Sequence, residues 1–173
     1  MEITKRENLY KGYYQLDRLI LKSNRTEREV DREQFITPNS IGVLIYNTKN
    51  EHIVLVKQFR IGPEKELLEI VAGKIEGKDQ DLIKTAHREV LEETGFKIDR
   101  LQHLYEFYTT PGPVTETMNL YYAEVSEQIE PGGGLECENE EIEILNLTKQ
   151  EFLAYSFNDA KTIMAQQWMK LNR

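Results

Sequence analysis

The stretch AGKIEGKDQDLIKTAHREVLEETGF, Ala72 to Phe96, decides the reading of the chain. It carries six carboxylates, and three of them, Glu89, Glu92 and Glu93, crowd into its last ten residues, HREVLEETGF. Around them Leu82, Ile83, Ala86, Val90 and Leu91 recur at helical spacing. Asp79 is the expected N-cap, and Gly95 sits where a helix ends on positive φ. On that helix Glu89 and Glu93 are one turn apart and Glu92 is three residues from Glu89, so all three approach one point. Like charges at this spacing destabilise a helix. Either the face is solvated, or something positive lies against it. Oxygen ligands converging from one face suit a hard divalent cation, Mg²⁺ or Mn²⁺. A solvated acidic face is the other reading of these residues taken alone.

Outward from this helix the chain is rich in strand signals. Segments 13–22, 28–36, 41–47, 53–59 and 66–73 read as strands, the last ending at Gly73 beside the helix. Beyond the helix, strands are expected over 101–109, 117–125 and 142–147. Between the last two lies PGGGLECENEE, a glycine-rich loop over 131–141 whose second acidic cluster, Glu136, Glu138, Glu140 and Glu141, is hinged to close over the first. Thr148 and Glu151 form a capping box. Asn158 is the expected cap of a last helix in which Ile163, Met164, Trp168 and Leu171 make one apolar stripe. Strands around one central helix and two terminal helices predict an α/β fold, a mixed sheet sandwiched between helices. Residues 1–40 read as a separate antiparallel strand arm, and 41–173 as the main domain, which carries the acidic helix. The arm's strands alternate apolar and polar residues, and a two-stranded sheet is marginal alone, so a second copy of the chain is the expected cover.

Composition bounds the partners. With 22 basic and 30 acidic residues the net charge is 22 − 30 = −8, which gives no general attraction to a nucleic-acid backbone. A small phosphorylated substrate bound through a cation stays compatible with it. The single cysteine, Cys137, cannot close an intrachain disulfide and has no partner base. No secretory signal pattern opens the sequence and no apolar run is long enough to span a bilayer, so a cytoplasmic protein without membrane contact is expected. His52, His87 and His103 lie on separate elements without ligand spacing and read as structural.

Gly73 followed by REVLEETGF resembles the signature box of the Nudix family. That box runs glycine, five residues, Glu, seven residues, Arg-Glu, an aliphatic residue, any residue, Glu-Glu, any residue, Gly and an aliphatic residue. Arg88, Glu89, Val90, Glu92, Glu93 and Gly95 fit its second half, with Phe96 in the aliphatic place. The first half departs: one extra residue separates Gly73 from Arg88, and the lone Glu becomes Asp79 or Gln80. The stretches VLVKQFRIGPEKELLEIVAGKIE, TTPGPVTE, ENEEIEI and NDAKTIMAQQWMKL resemble the ADP-ribose pyrophosphatase branch, while YNTK, QFR and GGG are shared with the GDP-mannose pyrophosphatases.

The resemblance implies a Nudix-type α/β/α sandwich and Mg²⁺-dependent hydrolysis of a nucleoside diphosphate sugar. ADP-ribose is favoured, giving AMP and ribose 5-phosphate; GDP-mannose or another such sugar is the alternative. It implies cation ligands at Glu89, Glu92, Glu93, Glu140 and the backbone carbonyl of Ala72, and Glu138 as the group that activates the attacking water. Arg60 contacts a phosphate in this reading, or pairs with a nearby acid if its role is structural. Glu116 binds the sugar, and Arg28 and Arg32 reach the substrate of the other subunit if the arm is exchanged in a homodimer. A catalytically silent, nucleotide-sensing module is the rival class, against which the retained Glu89, Glu92 and Glu93 argue. A nucleoside-triphosphate hydrolase is a third reading, opposed by the arm and by TPGPVTE.

Overall fold

The computed structural model describes residues 1–75, 81–135 and 141–172. Among them the chain runs β1 (Glu2–Lys11), β2 (Gln15–Lys22), β3 (Glu29–Ile36), β4 (Ser40–Asn47), β5 (His52–Arg60), β6 (Lys65–Glu69), β7 (Val71–Lys74), α1 (Leu82–Thr94), β8 (Phe96–Tyr108), β9 (Thr117–Gln128), β10 (Glu143–Thr148), α2 (Lys149–Ala154) and α3 (Ala160–Asn172). Two units result, Met1–Ser40 with Phe107–Met118, and Ile41–Glu106 with Asn119–Arg173.

The first unit is an antiparallel sheet in the order β1-β2-β3. β2 and β3 lie close to the expected strands, but β1 was not expected. Its apolar residues, Ile3, Leu9 and Tyr10, keep no period of two, and all ten of its positions are exposed. What ties it down is polar. Asp17 on β2 is buried and accepts hydrogen bonds from Arg6 Nη1 at 2.8 Å, Asn8 Nδ2 at 2.9 Å and Gln15 Nε2 at 2.9 Å. These three donors hold the Asp17 carboxyl down at about 2. The far side of β3 meets the loop before β9: Phe35 N–H donates to Pro113 O at 2.7 Å and its carbonyl accepts from Thr115 N–H at 3.0 Å.

The second unit is a mixed seven-stranded sheet in the order β10-β5-β4-β9-β8, with β6 on β5 and β7 on β4. β4, whose residues SIGVLIYN are buried except for Tyr46, has no solvated face, as its unbroken apolar run requires. α1 packs Ala86 and Val90 among Ile41, Val43, Val54 and Val71. Each such valine removed from water contributes roughly 1.5–3 kcal/mol. Ile83, on the expected apolar stripe, is instead exposed.

Four expectations change. The N-cap of α1 is Asp81, whose Oδ1 accepts from Ile83 and Lys84 N–H, both at 3.2 Å; Asp79 lies outside the described residues. The segment 66–73 is two strands rather than one, because Ile70 N–H leaves the ladder for Thr162 Oγ1 at 3.0 Å. Asp159, not Asn158, caps α3, its Oδ2 accepting from Thr162 N–H at 3.0 Å. On α3 the buried positions are Lys161, Thr162, Ala165, Gln166, Trp168 and Met169. Ile163 and Leu171 face outward, so the true stripe is partly polar and only Trp168 of the expected one is deeply buried, its ring 5.0 Å from that of Tyr122. Thr148 and Glu151 form the expected capping box.

Candidate active site

α1 carries its three glutamates at its C-terminal end, and burial separates them. Glu89 is 8% and Glu93 2% exposed, so this is not a solvated acidic face. Glu92 lies at the margin. Arg88 bridges the group: Nη2 donates to Glu89 Oε1 at 2.6 Å and Nη1 to Glu92 Oε2 at 2.7 Å. Its Nη2 also reaches the carbonyl of Lys74, the residue after Gly73, at 3.4 Å. Burial opposes the Arg88 charge, but Glu89 and Glu92 outweigh it and raise its pKa. The positive group that the like charges require is thus supplied, in part, from within the helix.

β7 presses against this cluster. A Cβ at Gly73 would sit 1.9 Å from Glu89 Cδ and 2.0 Å from its Oε1, so the missing side chain is the space the carboxylate occupies. Ala72, next to it, is half-buried on the same strand. Among the described residues no three or more acidic, His or Cys side chains are gathered into a cage, and Arg88 engages Glu89 and Glu92. Glu89 and Glu93 nonetheless offer carboxylate oxygens, Glu89 in a glycine cradle, and oxygen is the donor a hard divalent cation takes.

The glycines of PGGG bond to the helix that carries the glutamates. Gly133 N–H donates to the Glu93 carbonyl at 2.9 Å and Gly134 N–H to that of Glu92 at 3.1 Å. The chain closes below them as Ile142 N–H meets Gly133 O at 3.3 Å. Gly132, Gly133 and Gly134 have φ of 68°, 103° and 83°, which only glycine adopts readily. The described ends of this loop are therefore bolted to the helix that carries the glutamates. Glu138 and Glu140 lie outside the described residues.

The remaining candidates fall into two places. Arg60 ends β5 in the second unit, with Nε donating to Glu69 Oε1 at 2.5 Å. The acid it pairs with is almost fully buried. Arg28, Arg32 and Glu116 belong to the first unit. Arg28 is exposed ahead of β3, and Arg32 donates Nη1 to the Asp31 carbonyl at 2.7 Å. Glu116 accepts from Ser40 Oγ at 2.5 Å and from Thr109 Oγ1 at 2.7 Å. Sequence reading missed Glu69 and Lys161, which meet in the second unit. The available signal was an acid inside the apolar run LLEIV. His52 bonds to Asn50 O, His103 to Asn119 Oδ1, and His87 is exposed.

The second unit is thus a sheet with helices, one of which buries two carboxylates, Glu89 beside a glycine of the adjoining strand. Residues 37–167 match the NUDIX domain. The chain is 30% identical to GDP-mannose pyrophosphatase of Cronobacter sakazakii, over 99% of this chain and 95% of that protein. It is 35% identical to methanol dehydrogenase activator of Bacillus methanolicus, over 96% and 91%. A crystal structure of an ADP compounds hydrolase shares the fold with a TM-score of 0.79 at 21% identity, covering 98% of this chain and 94% of that one. The chain belongs to the NUDIX family. It is an enzyme of the Nudix pyrophosphohydrolase class.

Proposed function

We propose that this enzyme hydrolyses the pyrophosphate bond of a nucleoside diphosphate sugar, ADP-ribose first among them, with a divalent cation, Mg²⁺ or in its place Mn²⁺. The observation that carries the reading is the buried pair Glu89 and Glu93 on α1, with the Glu89 carboxylate seated against the side-chain-free Gly73. Glu89, Glu92, Glu93, Glu140 and the Ala72 carbonyl would hold the cation. When bound, it neutralises the pyrophosphate and lowers the pKa of water. For Glu89 and Glu92 to serve, Arg88 must yield some of its bonds to them, so Arg88 acts as the placeholder that keeps these carboxylates ordered.

The chain's own residues supply the rest of the reading. Glu138 takes the proton from the attacking water. Arg60 meets a phosphate with its Nη groups, which have no hydrogen-bond partner among the described residues. Glu116, fixed by Ser40 and Thr109, orients the sugar. Arg28 and Arg32 serve the partner's substrate in a homodimer that exchanges the arm, and the first unit's exposed Ile3, Leu9, Tyr10, Tyr13 and Tyr14 are the apolar surface such a dimer would cover. Work in the cytoplasm, on a small substrate and not on nucleic acid or membrane, completes the proposal. Among the described residues no helix is long and apolar enough to cross a bilayer.

GDP-mannose is the second reading, favoured by relatives of that name matched over nearly their whole length. Purified protein should be given ADP-ribose, GDP-mannose and ADP-glucose in turn, with Mg²⁺, with Mn²⁺ and with a chelator. Cation-dependent release of a nucleoside monophosphate and a sugar phosphate supports the proposal and ranks the substrates. Tight binding without turnover of any of them would instead make the protein a sensor.

A further inference from the structure

The second unit holds another charged cluster, centred on a buried acid. Glu69, the last residue of β6, is 1% exposed and shares its two oxygens between two cations. Oε1 accepts from Arg60 Nε at 2.5 Å and Oε2 from Lys161 Nζ. Lys161, 9% exposed, also faces Asp159 at 3.0 Å. Asp159 accepts from the Thr162 hydroxyl at 2.6 Å, and that hydroxyl takes the Ile70 N–H at 3.0 Å. The end of β5, the joint between β6 and β7, and the start of α3 are thereby locked together.

The cluster is neutral, two cations with two carboxylates, which is what makes its burial tolerable. Its halves differ in what they leave over. Lys161 is enclosed. The Arg60 side chain keeps 35% of its surface in solvent, spends only Nε on Glu69, and feels the charge of Glu93 across the site. A free arginine carries about 2 kcal/mol of rotamer entropy, and a fixed one has given this up before the substrate arrives.

We infer that Glu69 is a positioning residue: anchored by Lys161, it grips Arg60 through Nε and so presents the other edge of the guanidinium to the phosphate of a nucleoside-diphosphate-linked substrate. This rests on the reading of Arg60 as a phosphate contact.

The test is a kinetic double-mutant cycle with ADP-ribose and GDP-mannose. Loss of an oriented charge-assisted contact should raise KM about tenfold in Arg60→Ala. Glu69→Gln should raise KM several-fold with kcat held within about threefold, and should add nothing further in the Arg60→Ala background. If Arg60→Ala leaves KM unchanged, or neither compound is turned over, the phosphate-contact reading falls and the inference with it. If Arg60→Ala raises KM while Glu69→Gln only lowers the melting temperature, Glu69 is structural and the inference alone is overturned. Additive effects on KM overturn it equally. Should Glu69→Gln not fold, Glu69→Gln with Lys161→Met removes one charge of each sign from the cluster, and the same comparison is made there.

Discussion

Two glycines separate what the site needs from what the fold needs. At Gly73 the nearest atoms to an added methyl are those of the Glu89 carboxylate. Gly73→Ala should fold, losing less than about 1.5 kcal/mol, yet drop turnover at least about tenfold as the carboxylate is displaced. At Gly95 φ is 72° and the methyl would strike the Glu130 carbonyl at 1.9 Å. Gly95→Ala should therefore cost about 2 kcal/mol or more, read by denaturant unfolding, before any effect on chemistry. Equal loss of stability in both would contradict this division. Glu93→Gln should lower turnover by a factor of about a hundred while the metal-free melting temperature holds within about 3 °C, since a buried charge is removed with the ligand. Activity within about threefold of the parent would sink the assignment of Glu93 to the cation.

At the scale of elements, the helix with its glutamates and terminal glycine was legible because the periodicity, the REVLEETG run and Gly95 all agree. The arm's β2 and β3 and the inner strands were legible from alternation and apolar runs. β1 was not, because its pairing rests on a polar cluster that leaves no hydrophobic period in EITKRENLYK. The caps were misplaced by one or two residues, at Asp81 and Asp159, where neighbouring polar residues offered equal signals. The charged lock of Glu69 and Lys161 joins residues 92 apart in sequence, and no local pattern encodes such a meeting. The polar tie of β1 makes a pH prediction. Asp17 is depressed to about 2, so its contribution is fully present above an ordinary carboxyl value near 4 and is lost as pH falls through about 2. Amides of β1 should lose protection from hydrogen exchange across that window, and Asp17→Asn should abolish the dependence while exposing β1 at neutral pH.

For the whole molecule, assembly gives the broadest prediction. Light scattering on active protein should report about twice the 20.3 kDa of one chain. Leu9→Asp with Tyr10→Asp should shift it toward one chain and lower activity in parallel. A fully active preparation at single-chain mass would end the exchanged-arm proposal. A different consequence follows from the way α1 finishes. The peptide dipoles of a helix leave about half a negative charge at its C-terminus, and here that end holds Glu89, Glu92 and Glu93 with no basic residue in the last turn. The Arg88 guanidinium and the N–H groups of Gly133 and Gly134 drain some of that potential, but the remainder is a standing electrostatic cost borne by the folded chain. Selection for thermal robustness alone, blind to catalysis, would therefore reach these three positions and replace acid with amide. The glutamates survive against the stability of their own helix, and such a library, sequenced after heat selection, would map the site without a substrate.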